Sequence, residues 1–280
     1  MPFYHRQGKI PPKRHTAFNK DDGSLYYEEL VSREGFSRIY SNLYHLQRPT
    51  KISKVGKLIK QELTKAETKH RARHITTASL KTTGDAFSSR IPLFFNSDVI
   101  ISIATVSENM DYCFRNGLAD EVLYMQKGEG KLISNFGTLD CKSGDYVVIP
   151  RGVIWQLIPE GTIKLLVIES VGPIETPNRY RNRFGQLLEH SPFCERDIQT
   201  PLLQDPIEDE NEVLVKVKIN EDLQELTYTH HPCDLVGWDG YYFPWSISIH
   251  DFEPIVGSIH QPPPVHQTFQ SKGFVVCSFV

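Results

Sequence analysis

The sequence predicts a mainly β fold, and three kinds of segment carry that prediction. Residues 118–158 alternate apolar and polar side chains, which is typical of two consecutive β-hairpins, and Gly128 and Gly130 predict the turn of the first one. A β-branched run at 99–106 and an apolar run at 164–169 predict buried strands on either side of the hairpins. At 213–219 apolar residues alternate with lysines, which predicts a further strand with one apolar face.

The composition is that of an ordinary globular protein. Of the 280 residues 39% are apolar and 23% are charged, and the net charge of −3 gives no positive field that would attract nucleic acid. The 5 cysteines are scattered without a CxxC pair, which favours a reducing compartment over a disulfide framework or a zinc cluster. No signal-peptide core and no membrane-spanning apolar run is present. We therefore expect a cytoplasmic protein with neither nucleic-acid nor membrane partners.

The spacing of one carboxylate and several glycines in the hairpin region resembles a known pair of motifs. Six residues separate Glu121 from Gly128, and five separate Gly144 from Pro150, which Gly152 follows after one more residue. This arrangement is similar to the paired motifs of the cupin superfamily. The resemblance implies a jelly-roll barrel in which inward-pointing side chains of facing hairpins meet.

A metal-binding cupin places two histidines, two positions apart, shortly before this glutamate, and a third histidine in the second motif. The candidate positions in this chain hold Phe114 with Asn116, or Arg115 with Gly117, and the third position holds Trp155. Because none of these side chains is an imidazole, we expect the barrel to be a metal-free scaffold.

Glu121 and Trp155 then need other roles. We expect Glu121, the carboxylate that remains of the motif, to form an ion pair with Arg115 or Arg151 rather than to act as an acid catalyst. Trp155 is most simply interpreted as a core residue at a former ligand position.

Composition divides the chain into four segments. Residues 1–90 are an extended arm, with prolines and scattered aromatics, that we expect to contact the barrel or a neighbouring subunit. Residues 91–171 are the degenerate barrel. Residues 172–212 are a long crossover with a short helix at 186–190. Residues 213–280 begin a second β half that we expect to be incomplete.

Two features of the last segment stand out. Its aromatic side chains predict the wall of a pocket, and they are Trp238, Tyr241, Tyr242, Phe243 and Trp245. The run from Phe274 to Val280 is apolar almost throughout and predicts a core strand. Because an uncapped apolar strand leaves an unpaired edge, we expect this chain to be the front part of a longer protein.

The histidines offer two candidates for catalysis. None of the 11 belongs to an HxD, HxE or HExxH pattern, and His70 with His74 has helical spacing but no neighbouring carboxylate. His260 and His266 flank three prolines, whose fixed φ would hold an imidazole in a set direction. Either histidine could serve as a general base at neutral pH, and the alternative is a histidine hydrogen-bonded in a tight turn.

Five blocks of sequence, in order, carry a more specific resemblance. They are MPFYHRQGKIPPKRHT, DGSLYYEEL, YRNRFGQLLEHSPFCERD, VGWDGYYFPWSISIHDFEP and PPPVHQTF. Together they resemble the homogentisate 1,2-dioxygenases of the bacterial branch, over essentially the whole chain. The resemblance implies tandem cupin halves, a metal-free first barrel and a second barrel that holds Fe(II). The implied reaction is O2-dependent opening of the ring of homogentisate, in tyrosine and phenylalanine catabolism, by a trimer-based homo-oligomer.

The same resemblance implies roles for particular residues. In the family, the proposed base lies shortly after a DF-containing strand and before a proline. His260 matches this position, because it follows Asp251-Phe252 and precedes Pro262. The resemblance therefore implies that His260 is the base, with His266 as the fallback. The two His and one Glu that hold Fe(II) in the family lie beyond the strand that ends this chain. We therefore expect no metal or cofactor ligands here, and Fe(II) only in the full-length protein. The alternative is a catalytically inert, metal-free cupin that binds a small acid or acts as an oligomer scaffold.

Overall fold

The computed structural model describes residues 3–66, 69, 71–80, 83–220, 222–253 and 265–279. Its strands in chain order are β1 (His5–Gly8), β2 (Tyr27–Ser32), β3 (Tyr40–His45), β4 (Ile52–Ile59), β5 (Ile91–Phe95), β6 (Val99–Val106), β7 (Cys113–Asn116), β8 (Asp120–Lys127), β9 (Glu129–Ser134), β10 (Gly137–Lys142), β11 (Asp145–Ile149), β12 (Ile154–Pro159), β13 (Ile163–Ser170), β14 (Val213–Ile219), β15 (Asp222–Tyr228), β16 (Leu235–Gly240), β17 (Trp245–Ser248), β18 (Val265–Ser271) and β19 (Phe274–Phe279). Short 3₁₀ turns lie at Gly35–Ser37, Thr77–Ser79, Asn178–Tyr180, Glu195–Asp197 and Ile249–Asp251. None of the helices described is long and apolar enough to cross a membrane.

Most of these strands build a pair of facing sheets around an apolar core. One sheet has the order β10-β9-β12-β7-β14-β15-β4, and the other has the order β17-β11-β8-β13-β6-β5. Side chains from both sheets, such as Phe114, Val122, Leu132 and Leu165, are buried in the same cluster. The chain passes from one sheet to the other between β7 and β8, β8 and β9, and again around β11, which is the path of a jelly roll. The predicted mainly β, cupin-type jelly-roll fold is confirmed.

The hairpin turn predicted at Gly128 and Gly130 is wrong. β8 and β9, which flank these glycines, lie in different sheets, and β9 pairs with β10 instead. Gly128 adopts a φ of +90°, and a Cβ on it would lie 2.6 Å from the carbonyl oxygen of Thr162. Glycine is required because the chain turns a tight corner here as it crosses between the sheets.

The structure also decides the shorter predicted elements. The strands predicted at 99–106, 164–169 and 213–219 are confirmed by β6, β13 and β14. The helix predicted at 186–190 is wrong, because these residues form turns and an isolated β-bridge. So short a helix makes too few hydrogen bonds to offset the cost of its first turn.

Strands from the last part of the chain are built into the sheets of the barrel. β14 lies parallel to β7, with Lys218 opposite Asn116, and β17 pairs antiparallel with β11. β16 lies between β1 and β3 in a sheet of order β1-β16-β3-β2, and β18 pairs with β19. The division of the chain into segments at residues 91, 172 and 213 stays a prediction.

Aromatic side chains of the β16–β17 region lie in the core and do not form the predicted pocket wall. Trp238, Tyr242 and Phe243 are buried, whereas Tyr241 is exposed. Trp238 packs edge-on against Phe136 and donates its Nε1–H to the carbonyl oxygen of that residue at 2.8 Å. The prediction of a pocket wall is wrong because these rings pack β16 and β17 onto the barrel.

One buried aspartate joins the arm, the barrel and the crossover. Asp120 accepts hydrogen bonds from the guanidinium of Arg33, from the backbone N–H of Arg151 at 2.7 Å and from that of Ile174 at 2.8 Å. Burial raises the pKa of Asp120, and the charge of Arg33 and the two N–H groups oppose that rise. The carboxylate thereby ties three segments that are distant in sequence.

A buried histidine between two carboxylates also holds the arm in place. His45 lies 2.6 Å from Asp234 through Nδ1 and 3.2 Å from Glu29 through Nε2. Burial lowers the pKa of His45, but the hydrogen bonds and charges of both carboxylates outweigh burial and raise the pKa to about 9. A charged imidazole therefore links β2 and β3 to the turn before β16.

We expect this histidine to make the protein less stable at alkaline pH. The folded-state pKa of His45, about 9, lies above its ordinary value of 6.5, so the stabilisation is fully present below pH 6.5 and is lost as the pH rises through 9. The free energy of unfolding should fall by an amount on the order of 3 kcal/mol across this range. Urea unfolding followed by circular dichroism, from about pH 6 to about pH 9.5, measures the change.

Two variants separate His45 from other titrating groups. His45→Gln removes the titrating imidazole and should flatten the pH dependence, whereas the exposed His74→Gln should leave it as in the wild type. The same pH dependence in the wild type and in His45→Gln would contradict the assignment.

Candidate functional site: an ion network inside the barrel

Strand alternation decides which side chains of β7 point between the sheets. Phe114 stacks on Phe87 with ring centroids 4.5 Å apart and meets the ring of Trp155 edge-on at 5.4 Å. Asn116, two residues on, shares that face. Phe114 and Asn116, and not the alternative pair, therefore occupy the inward positions. Trp155 on β12 is 1% exposed, which confirms it as a core residue.

Two carboxylates lie side by side on the opposite sheet. Glu121 on β8 is directly opposite Glu169 on β13, and both side chains are buried. Arg90 Nη1 lies 2.6 Å from Glu121 Oε1 and 3.2 Å from Glu169 Oε1. Two carboxylates opposite each other on adjacent strands repel. The positive charge of this guanidinium offsets that repulsion, because it is close to both of them.

Donors from the β7 sheet complete the network. Trp155 donates its Nε1–H to Glu121 Oε2 at 3.1 Å. Glu169 Oε2 accepts hydrogen bonds from Lys218 Nζ at 2.5 Å and from Asn116 Nδ2 at 3.0 Å. Each carboxylate oxygen of the two glutamates thus has a donor, and the hydrogen bonds cross from one sheet to the other. We call these six residues, Arg90, Asn116, Glu121, Trp155, Glu169 and Lys218, the ion network.

Aromatic rings surround the Arg90 guanidinium. Its Cζ lies 5.3 Å from the ring centroid of Phe87, 5.8 Å from that of Phe114 and 6.0 Å from that of Trp155. Cation–π attraction to these rings adds to the ion pairs. The other terminal nitrogen, Nη2, is buried and has no hydrogen-bond partner in the part of the chain that the structure describes.

Burial and charge oppose each other in the ion network. Burial raises the pKa of Glu121, and the neighbouring Arg90 offsets only part of that rise. Burial also tends to raise the pKa of Glu169, but the charges of Arg90 and Lys218 outweigh the effect of burial and lower the pKa of this carboxyl. Burial alone would lower the pKa of Arg90, and the two carboxylates raise it instead. The guanidinium therefore stays charged, and Glu169 is held ionised.

The predicted ion pair of Glu121 with Arg115 or Arg151 is wrong. Arg115 lies on the outward face of β7, where its positive charge is close to the side chain of Tyr228. Arg151 donates through Nη2 to a carbonyl oxygen of the arm at 2.6 Å. Glu121 pairs with Arg90, which precedes it by 31 residues and enters from the segment before β5.

The residues at the cupin metal positions do not fit a metal ion. Phe114 and Trp155 offer no ligand atom, and both oxygens of Glu121 are bonded to N–H donors. A guanidinium 2.6 Å from the remaining carboxylate also repels a cation. Over all the residues that the structure describes, no group of three or more His, Cys, Asp or Glu side chains is placed to hold a metal.

The histidine candidates are only partly within the described structure. His260 and His70 lie outside the described residues, and His74 is exposed. His266 lies on β18 opposite Ser278 and is 6% exposed. Burial lowers the pKa of His266, so its imidazole is neutral at neutral pH. The assignment of either histidine as a base stays a prediction.

Sequence reasoning missed Arg90, Glu169 and Lys218 as members of a site. Nothing in its neighbourhood distinguishes Arg90 from a surface arginine. Glu169 did carry a signal, because alternation places it on the same face of its strand as the apolar Leu165 and Val167, where a buried side chain is expected. A buried charge requires a partner, so this glutamate predicts a cation nearby. Lys218 carried no such signal, because it lies on the face opposite to the apolar residues of its strand.

Comparison with known sequences agrees with this architecture. Residues 92–249 match the family model described as "Homogentisate 1,2-dioxygenase N-terminal". A protein of Saccharolobus solfataricus named "Putative dioxygenase" is 43% identical over 282 aligned positions, which cover 100% of this chain and 73% of the relative. The homogentisate 1,2-dioxygenase of Bradyrhizobium diazoefficiens is 30% identical over 166 positions, which cover 58% of this chain and 36% of the relative.

Solved structures show more distant likenesses. A cupin 2 conserved barrel domain protein from Leptotrichia buccalis has a TM-score of 0.33 and 11% identity, and the match covers 65% of this chain and 100% of that one. A cupin-2 domain containing protein from Shewanella frigidimarina has a TM-score of 0.27 and 20% identity, with coverage of 29% and 79%.

The jelly roll and the sequence relatives place this chain in a class of dioxygenase-related proteins of cupin fold. Within that class the chain belongs to the homogentisate 1,2-dioxygenase family and represents the family's N-terminal part. It spans 73% of the length of the relative from Saccharolobus solfataricus, and 36% of the length of the one from Bradyrhizobium diazoefficiens.

We expect Arg90→Met to lower the free energy of unfolding by about 3–5 kcal/mol, because it leaves two buried carboxylates without their shared cation. The matched control is Arg38→Met, since Arg38 pairs with Glu34 on the surface, where both side chains are well exposed. This control should change the stability by less than about 1 kcal/mol. Urea denaturation at neutral pH measures both variants, and an Arg90→Met protein as stable as the wild type would exclude a structural role for the ion network.

Proposed function

We propose that this chain forms the metal-free barrel of an Fe(II)-dependent dioxygenase that opens the aromatic ring of homogentisate with O2. The observation that supports it best is the ion network, which occupies the metal positions of a cupin barrel in a member of the homogentisate 1,2-dioxygenase family. In this proposal residues outside the 91–171 barrel would hold Fe(II), which would supply the activation of O2. The substrates are a small aromatic acid and O2.

The role that we propose for the barrel is support and assembly. The ion network joins the two sheets without a metal, so the barrel does not depend on iron for its shape. We also propose a homo-oligomer built on trimers, with the arm and the crossover as contact segments. Phe36 of the arm is 84% exposed and Phe184 of the crossover is 79% exposed, and exposed aromatics of this size favour a contact surface.

His260 is the proposed general base of the reaction, with His266 as the fallback. A neutral imidazole would accept the proton of a phenolic hydroxyl of the substrate. The buried position and lowered pKa of His266 support a neutral imidazole in this segment. Both histidines flank the same run of prolines, which limits the directions that they can take.

The purified 280-residue protein should retain far less than one iron per chain after incubation with Fe(II) and gel filtration under anaerobic conditions. The reason is that the guanidinium and indole N–H already occupy the oxygens of Glu121. Elemental analysis by mass spectrometry measures the iron. Glu121→Gln is the matched control and should leave this low iron content unchanged. One iron per chain that is lost in Glu121→Gln would refute a metal-free barrel.

In the enzyme that we propose, O2 uptake should depend on homogentisate and Fe(II). His260→Ala should lower kcat by about 100-fold with the iron content unchanged, because it removes a proton acceptor and no metal ligand. The exposed His74→Ala serves as the control and should keep full turnover. If His266→Ala alone abolishes turnover, the base is His266. If neither variant changes turnover, the segment holds no base.

A further inference from the structure

A cavity of about 820 Å³ adjoins the ion network. It lies where β5 and β6 of one sheet face β14 of the other, beside the chain segment 61–64. Small-molecule sites typically measure roughly 300–1,000 Å³. The size of this cavity therefore suits a small organic ligand.

The inner end of the cavity is charged, and apolar and polar side chains share its walls. Arg90, Glu169 and Lys218 of the ion network line it at the inner end, and Phe87 and Phe95 are among the apolar lining residues. Within the network the cations Arg90 and Lys218 compensate the carboxylates. The inner end thus presents N–H donors without a net negative charge.

Lys216 adds a further cation to the cavity. It is half-buried, and its Nζ lies 3.7 Å from the ring centroid of Tyr112, which also lines the cavity. No ion pair joins Lys216 to a carboxylate among the residues that the structure describes. The other acidic lining residues, Glu62 and Asp98, are exposed, so water screens their charges from a ligand inside.

We propose that this cavity binds a small organic monocarboxylate with an apolar body. The carboxylate would pair with Lys216 and lie toward Arg90, and the body would pack against Phe87 and Phe95. Arg90 and Lys218 carry positive charge at the inner end, but their hydrogen bonds are directed to the two glutamates of the ion network, so Lys216 is the cation that pairs with the ligand. Such binding does not require the oxygenase reaction, and the site holds even if the proposed dioxygenase activity fails.

Benzoate is a suitable probe, since it combines one carboxylate with a rigid apolar ring. Titration of the ¹⁵N-labelled 280-residue protein, followed by amide chemical shifts, should show saturable changes that centre on the cavity. Lys216→Gln should weaken benzoate affinity by about tenfold, because it removes a partly buried cation, while Lys216→Arg should largely retain it. Lys164→Gln, an exposed lysine of β13 outside the cavity, should bind as the wild type does.

Two further probes test the two halves of the ligand. Benzamide, which keeps the ring without the charge, and acetate, which keeps the charge without the ring, should each bind at least about tenfold more weakly than benzoate. Equal affinity for benzamide would overturn the role of Lys216, even if Lys216→Gln failed to fold. Shift changes centred elsewhere, or no saturation at about 10 mM benzoate, would overturn the site itself.

Discussion

The pair of buried carboxylates at Glu121 and Glu169 is the constraint on which the barrel depends. They face each other on neighbouring strands, away from water, and neither could stay ionised without a cation close by. Arg90 meets both, and Lys218 meets one of them. Because these cations come from different elements, the requirement for charge balance fixes where the segment before β5 and the strand β14 must lie. The fold around this point follows from satisfying the carboxylates.

The ion network lies at the position that a metal centre occupies in other cupin barrels. It joins the strands that would carry the metal ligands through hydrogen bonds, ion pairs and stacked rings. A metal would gather ligands from β7, β8 and β12, and here the side chains of those strands stack or hydrogen-bond directly. In this dioxygenase-family chain the described side chains at these positions therefore hold the strands together and leave no free oxygen of Glu121 for a metal. The link between the two sheets therefore forms with the fold itself, since hydrogen bonds and ion pairs between side chains need no cofactor.

Features of the fold and the site that depend on neighbouring residues could be predicted from the sequence, and contacts between residues distant in sequence could not. The strands, and the lack of metal-ligating side chains at Phe114, Asn116 and Trp155, followed from local spacing and residue type. The jelly roll was implied by the resemblance to the cupin superfamily. The partner of Glu121 did not, because sequence neighbours such as Arg115 point outward and the true partner comes from another segment. The corner at Gly128 was mistaken for a hairpin because a glycine permits both, and only the sheet that the next strand joins decides between them.

The position of β16 has a consequence for how the polypeptide acquires its shape during synthesis. This strand lies between β1 and β3, so the first 45 residues of the chain cannot complete their sheet until residue 240 has left the ribosome. β14 likewise pairs with β7, although it is synthesised about 100 residues later. Until then, open strand edges are exposed on the nascent chain, and they are available to chaperones or to mispairing with other chains.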